Sequence, residues 1–331
     1  MISKRVKSNL KQTFFRSLLP KLGLLLLVSI VFMAVFAPVL ATHDPTRTGH
    51  YDDNGAQYPP LGHEYTTEIA QDGETVEVTV EPTSEHVLGT NNVGQDVYSR
   101  FLYGARVSLL VGLLGTAMAL LIGVPAGLVA GYYGGRVDDG LMRIADVMLA
   151  FPALVLALAL IGVFGESPIQ VPDPIVMAGL ADGMPESIPI PGTVTIVVGL
   201  VTWVWFARVA RGEALSIRNE EYVKAAKSFG TSDAMILLKH VLPNSLTPII
   251  VLATIQIAVI ILLEASLAYL GFSGTTLSWG YEIERGQEIL SLRPWVSMVP
   301  GIGIVLTVIG VNLLGDWLRD ALDPNIDGEG R

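Results

Sequence analysis

The sequence predicts an all-α membrane protein with six transmembrane helices, and three observations support this fold class. Of the 331 residues, 51% are hydrophobic and only 16% are charged, whereas soluble domains carry about 25% charged residues. The apolar residues form several long runs, each close to the ~20 residues that cross a bilayer as a helix. Basic and acidic residues also alternate between successive connecting segments, as expected for a chain that crosses a membrane repeatedly.

The first predicted span, residues 22–41, follows a segment (1–21) that is rich in Lys and Arg and contains no acid. Such a positive flank holds the N-terminus in the cytoplasm. A cleaved signal peptide is the alternative, but its apolar region is usually shorter, about 7–15 residues. The six predicted spans are 22–41, 101–133, 141–164, 193–210, 246–271 and 295–314.

Residues 42–100, here called the insert, are rich in acids and are predicted to lie outside the cell. Within the insert, residues 75–80 alternate at period two, and Gln71-Asp72-Gly73-Glu74 is a turn signal. The pattern predicts a β-hairpin that pairs residues 65–70 with 75–80. The excess of acid indicates either adaptation to high external salt or a surface for an external partner.

Four histidines lie in the insert, at His43, His50, His63 and His86. Their spacing matches no metal-ligand pattern, so they are expected to be scattered over the surface, with no metal site. The chain contains no cysteine, which excludes a disulfide framework and thiolate metal ligands. Its net charge of -10 argues against a nucleic-acid partner.

Small residues in the second predicted span recur at three- and four-residue spacing, which lets membrane helices approach closely. They are Gly112, Gly115, Gly123, Gly127 and Gly131. In the third span Pro152 predicts a kink. Asp146 lies three residues after Arg143, which predicts an ion pair on one helix face.

The remaining connections fit the same topology. Residues 165–192 are proline-rich and acidic without Lys or Arg, and with 272–294 they are predicted to be external. The basic loop 211–245 and the polar tail 315–331 are predicted to be cytoplasmic. Both termini would then lie in the cytoplasm.

Residues 221–244, here called the elbow, form a polar segment between two long apolar runs. The residues before Gly230 favour a helix, and Gly230 permits the left-handed turn that ends it. Thr231-Ser232-Asp233 supplies N-caps for a second helix over 234–241, which Pro243 is expected to end.

The elbow resembles the "EAA" loop of permease subunits of binding-protein-dependent ABC importers. That pattern reads Glu-Ala-Ala, three residues, Gly, nine residues, Ile, one residue, Leu-Pro. Ala225-Ala226, Gly230 and Leu242-Pro243 match at this spacing, whereas Lys224 stands at the acidic position and His240 at the Ile.

Further motifs are similar to the second-permease type of the dipeptide, oligopeptide and nickel importers, and together they cover most of residues 86–325. They are His86–Arg100, Tyr103–Leu109, Gly131–Gly135, Asp146–Pro152, Glu264–Gly271, Asn312–Asp316 and Arg319–Pro324. The resemblance implies the type I importer permease fold, with a permease core over 101–325 and no catalytic site or cofactor in this chain. Residues 42–85 fall outside the resemblance.

The resemblance also implies partners. A second permease would complete the pore, two ATP-binding cassette subunits would grip the elbow, and an external binding protein would deliver substrate, all at the cell membrane. The expected ATPase contacts are Glu221, Tyr222, Lys224, Ala225, Ala226, Phe229, Gly230, Leu242 and Pro243. No Gly-Lys dipeptide occurs in the chain, so it lacks a Walker A phosphate loop and is not predicted to be the ATPase.

Polar residues inside the spans are further candidates. Glu264 lies in the fifth apolar run, where a carboxylate either lines the pore or forms a structural pair. Gln256 and Asn312 are expected to form hydrogen bonds between helices. Two other function classes stay open: a secondary transporter, which needs ionisable relays and broken helices, and a membrane scaffold whose insert is the working part.

Overall fold

The protein is described by a computed structural model that covers residues 14–15, 17–71 and 74–322. These residues are mostly helical and carry two small antiparallel hairpins, which confirms the predicted fold class. The helices are α1 (Leu19–Val35), α2 (Ala37–Leu40), α3 (Val97–Tyr133), α4 (Gly135–Leu149), α5 (Ala153–Phe164), α6 (Pro174–Met177), α7 (Gly192–Ile217), α8 (Glu221–Ser228), α9 (Asp233–Ile236), α10 (Leu242–Tyr269), α11 (Trp279–Gln287) and α12 (Trp295–Leu322). A π-helical turn, Leu237–Val241, joins α9 to α10, and the strands are β1 (Tyr65–Gln71), β2 (Glu74–Val80), β3 (Pro168–Pro172) and β4 (Ser187–Pro191).

Four helical segments of the described chain are long and apolar enough to cross a membrane: α3, α7, the run from α9 through α10, and α12. The pair α4 and α5 passes the same test but bends by 92° at its break. There the proline expected to kink a helix, Pro152, instead separates two helices as the residue before α5, because a proline disfavours helical geometry in its predecessor. With this pair counted as one span, a sixth crossing would need α1. Its 17 residues are about 25 Å long, slightly short of a bilayer core, so six spans remain a prediction.

The contact between α3 and α7 is built on glycine. A Cβ at Gly123 would lie 2.7 Å from the Phe206 Cβ, and a Cβ at Gly131 would lie 2.8 Å from the Ala214 Cβ. Gly127 is equally close to Ala210. The predicted close packing of these glycines is confirmed, and their partners on α7 are themselves small or fully buried.

Two helices run past their predicted ends. The fourth span was expected to end at 210, yet α7 continues to Ile217 because Ala210 and Ala214 pack into the glycines of α3. The sixth was expected to end at 314, but α12 continues to Leu322. Gly315 does not interrupt α12, since it packs closely against Thr254. The rest of the predicted tail, residues 323–331, lies outside the described residues, as do residues 1–13 and 16 of the N-terminal segment.

The insert carries the predicted hairpin. Tyr65 pairs with Val80 and Ala70 with Thr75, which confirms the register, and Gln71 with Glu74 adds one more pair. A second hairpin, β3 with β4, forms within the segment 165–192 and was not predicted. Its strands do alternate β-branched residues, Ile169 with Val171 and Ile188 with Ile190, but the prolines between and beside them argue against a strand in sequence.

The segment 272–294 was expected to be a plain connection, but it contains α11, which packs into the bundle with Trp279 fully buried. A buried ion pair fixes α11 to α3: the Arg100 Nε and Nη2 atoms donate to the two Glu282 carboxylate oxygens at 2.9 and 2.5 Å. Arg100 also donates to the Pro45 carbonyl at 2.7 Å. The first residues of the insert, the start of α3 and α11 therefore form one unit.

Candidate functional site

The elbow has the shape expected from its glycine. Gly230 has φ +78°, the left-handed conformation that side chains other than glycine adopt at a cost. The Thr231 N–H donates to the Ala226 carbonyl at 3.1 Å, and the Gly230 N–H donates to Lys227 at 3.0 Å. These bonds satisfy carbonyls at the end of α8, so the predicted turn is confirmed.

The elbow has one face against the bundle and one face free. Val223 is buried and Ala226 is half-buried against α7 and neighbouring elements. The opposite face exposes Glu221, Tyr222, Lys224, Ala225 and Phe229. Phe229 has 89% of its surface exposed, which is unusual for a large apolar side chain and typical of a contact site for another protein.

The second half of the elbow differs from the prediction. Pro243 does not end a helix: it is the second residue of α10 and follows directly after the π-helical turn. The helix that begins at Asp233 passes through the π-helical turn and into α10 without a break. Leu242 is half-buried and Pro243 is exposed.

One contact joins the elbow to the end of α3, and a second joins Arg218, just before the elbow, to the same end. The Tyr132 hydroxyl donates to the Asp233 carboxylate at 2.7 Å. The Arg218 Nη1 donates to the Gly131 carbonyl at 2.9 Å. Both α3 residues belong to the Gly131–Gly135 motif, but no local pattern indicates which residues they contact.

Ion pairs link α4 to α7 beside the elbow. Arg211 binds Asp138 through two bonds of 2.5 and 2.6 Å, and Arg208 binds Asp146 at 2.7 Å. The expected pair of Asp146 with Arg143 is wrong, because the carboxylate turns toward α7.

The polar residues of the spans occupy different environments. Glu264 is fully buried, and its Oε2 accepts a 3.4 Å bond from the Ser108 hydroxyl. Its Oε1 has no partner in the described part of the chain. Gln256 is buried, and its Nε2 has no hydrogen-bond partner among the described residues, so the expected hydrogen bond between helices remains a prediction. Asn312 lies on an exposed face of α12.

A groove of about 440 Å³ lies between the α4–α5 bend, α7 and α10. Its walls are largely apolar and include Phe151, Trp205 and Leu262, each substantially exposed. Ser266 and Thr202 supply hydroxyl groups. The groove is thus an open, mainly apolar surface at the level of the membrane-spanning helices.

Three insert histidines are not scattered, contrary to the prediction. The rings of His43, His50 and His86 lie with centroids 4.6 to 5.0 Å apart, and His86 is buried. We call these three residues the histidine cluster. Their linear spacing follows no ligand motif, and only the fold of the insert brings them together. His63 lies apart, beside Trp295.

Electrostatics around the histidine cluster follow from its burial. Burial lowers the pKa of His50, and the neighbouring His86 and His43 lower it further. For Asp96 burial raises the pKa, but hydrogen bonds from His86 and Ser99 outweigh it and hold the pKa below its ordinary value. The cluster thus favours a neutral His50 beside an ionised Asp96.

Comparisons with known proteins agree with the helical membrane fold. Residues 123–328 match the family described as binding-protein-dependent transport system inner membrane component. Residues 11–60 match the N-terminal TM domain of oligopeptide transport permease C.

The chain is 34% identical to the dipeptide transport system permease protein DppC of Alkalihalophilus pseudofirmus, over 92% of this chain and 85% of that protein. It is 32% identical to the oligopeptide transport system permease protein OppC of Bacillus subtilis, over 98% of this chain and 92% of the relative. A solved inward-facing structure of the MetNI methionine ABC transporter aligns with a TM-score of 0.52 at 16% identity, over 68% of this chain and 97% of that chain. The last likeness concerns the fold alone.

Proposed function

Since the chain belongs to the family of binding-protein-dependent transport system inner membrane components, we propose that it forms half of the translocation pore of an ATP-driven importer. The observation that carries this proposal is the elbow, whose free face exposes Phe229 while its other face is fixed to the membrane-spanning helices. A separate ATPase that pulls on this face would move α3 through the bond between Tyr132 and Asp233. The motion would be a rigid-body rocking of packed helices.

The proposed partners follow from the missing phosphate-binding loop of this chain and from the names of its relatives. The absence of a Gly-Lys dipeptide in the sequence supports placing ATP hydrolysis in two ATP-binding cassette subunits. A second permease would complete the pore, and an external binding protein would deliver the substrate. The relatives are named as dipeptide and oligopeptide permeases, so peptides are the proposed cargo class.

The orientation is part of the proposal. The positive-inside rule supports a cytoplasmic elbow and cytoplasmic termini, because the segments 1–21 and 211–245 are basic. The insert, which is acidic, would then face the binding protein. This assignment places the two ends of α3 on opposite sides of the cell membrane.

The pore is proposed to run along the groove between the α4–α5 bend, α7 and α10. Its open apolar wall with two hydroxyl groups suits a path for solutes that a binding protein, not the pore, selects. Glu264 and Gln256 are buried behind this surface and would shape the packing of α10. Asn312, exposed on α12, is proposed to contact a neighbouring subunit or the pore.

One experiment separates this function from the alternatives. The chain, tagged and purified from its own membranes, is expected to carry two ATPase subunits and a second permease. Liposomes that contain this complex should take up peptide only with ATP on the elbow side and the binding protein on the other. Uptake driven by an ion gradient without ATP would instead indicate a secondary transporter. A purified chain with no ATPase and no uptake would favour the scaffold.

A further inference from the structure

The histidine cluster joins three separate parts of the insert. His43 follows α2, His50 lies in the loop before β1, and His86 follows β2. One ligand nitrogen from each ring lies within 4.8 Å of the other two. Three imidazoles brought together from distant positions, in a chain with few histidines, form a possible metal-binding set, since imidazole suits zinc, copper and nickel ions.

The hydrogen bonds around the rings leave nitrogens free to face an ion. The His86 Nδ1 lies 2.9 Å from the Asp96 carboxylate, and the His43 Nδ1 lies 3.0 Å from the Thr42 hydroxyl. Each bond occupies one nitrogen and leaves Nε2. In metal sites a carboxylate commonly holds the far nitrogen of a ligating histidine and fixes the ring orientation.

The third ring supplies an unsatisfied atom. His50 Nε2 is buried and has no hydrogen-bond partner in the described part of the chain. A buried polar atom without a partner destabilises the fold, and a metal ion would satisfy it. Ring stacking, such as that of Tyr58 on His86, does not supply a hydrogen-bond partner for this nitrogen.

We propose that the histidine cluster binds one divalent transition-metal ion of the zinc class through three imidazole nitrogens. Zinc–nitrogen bonds are about 2.0–2.1 Å long, so nitrogens around a tetrahedral ion lie roughly 3.4 Å apart. The three nitrogens, now within 4.8 Å of one another, would have to move closer on binding. Water would take the fourth position.

The ion would fasten the insert to the start of α3. Asp96, which holds His86, also caps α3 by accepting the Ser99 N–H at 2.8 Å. The His43 N–H in turn donates to the Ser99 hydroxyl at 3.1 Å. The metal, its ligands and the first turn of α3 would thus form a continuous network, and the ion would be a resident part of the insert and not cargo.

The test uses the full-length chain, purified in detergent with an affinity tag that contains no histidine and stripped of metal with a chelator. Titration with Zn²⁺ against a coloured competing chelator should show one ion per chain. Replacement by Co²⁺ should give the visible absorption of a four- or five-coordinate ion. His43→Gln and His50→Gln should each weaken Zn²⁺ binding by roughly 100-fold or more, beyond the 10–100-fold that loss of a ligand's hydrogen-bond partner costs.

His63→Gln is the matched control, because it removes an insert histidine outside the cluster and should leave the affinity unchanged. The melting temperature supplies a second readout that does not depend on the competing chelator. Zn²⁺, but not Mg²⁺, should raise it in the wild-type chain and not in His50→Gln. Sub-stoichiometric Zn²⁺ binding, or equal affinity in all three variants, would overturn the proposal, as would a wild-type melting temperature that Zn²⁺ does not change.

Discussion

Tyr132 and Asp233 meet at 2.7 Å although they are 101 residues apart in sequence. Tyr132 is in the last turn of α3, and Asp233 begins α9 in the elbow. The bond is a direct contact between the part of the chain proposed to receive a motor and a helix that runs the length of the bundle.

We expect Tyr132→Phe to lower peptide uptake while leaving ATP hydrolysis by the complex largely intact. The substitution removes one hydrogen bond, worth about 1 kcal/mol, and keeps the ring. Tyr133→Phe is the matched control, because Tyr133 is half exposed and is not part of this bond. Uptake and hydrolysis measured on the same proteoliposomes give the ratio. An unchanged ratio in Tyr132→Phe would show that the bond transmits nothing.

Gly230→Leu should uncouple hydrolysis from uptake. No neighbouring atom would meet a Cβ at Gly230, so the cost is conformational: a left-handed φ costs an L-residue about 1–2 kcal/mol. Gly230→Asn is the sharper comparison, since Asn tolerates that conformation. We expect Asn to retain more uptake than Leu at equal expression. Normal uptake by the Leu variant would argue against a role for the turn.

Phe229→Ala should weaken association with the ATPase subunits by roughly 30-fold or more, because exposed aromatic side chains that become buried at interfaces often contribute about 2 kcal/mol or more. The melting temperature of the isolated chain should not change, since Phe229 is 89% exposed. Leu292→Ala, at an exposed apolar residue before α12, serves as control. Binding of purified ATPase to nanodiscs measures the effect, and equal affinities for both variants would contradict it.

Glu282→Gln should destabilise the chain by about 3–5 kcal/mol, because it leaves Arg100 buried and without its charged partner. Glu288→Gln, at an exposed position, should change stability by less than about 0.5 kcal/mol. Unfolding followed by intrinsic tryptophan fluorescence, to which the buried Trp279 contributes, compares the two variants. Equal stabilities of the two variants would contradict this prediction and indicate that the bond from Arg100 to the Pro45 carbonyl is sufficient.

Ser266→Cys should react with a charged, water-soluble thiol reagent in the assembled importer, because Ser266 lines the proposed pore groove. The chain contains no native cysteine, so labelling reports this site alone. Leu121→Cys, at a highly exposed apolar position on α3, should face lipid and stay unlabelled. Peptide should slow the reaction at residue 266, and equal labelling of both sites would remove the groove from the pore.

The sequence was informative wherever a residue acts on its own backbone or on a near neighbour. The Gly230 turn, the register of Tyr65 with Val80 and the close-packing glycines of α3 all follow from local patterns. The helix end predicted at Pro243 was wrong because proline occurs both after the end of a helix and in a first turn. The π-helical turn directly before α10, which places Pro243 in a first turn, has no local sequence pattern. The pairing of Asp146 with Arg208, and the meeting of His50 with His86, depend on distant parts of the chain that local patterns cannot place.

The row of glycines between α3 and α7 has a mechanical consequence. A helix of 37 residues is about 55 Å long. Its close contacts with α7 hold the two helices together, so we expect them to move as one body. Tyr132 lies at the end of α3 beside the elbow, and Asp96 caps the other end beside the insert. A movement imposed at the elbow would therefore reach the insert through α3, and contacts that hold the insert would limit that movement.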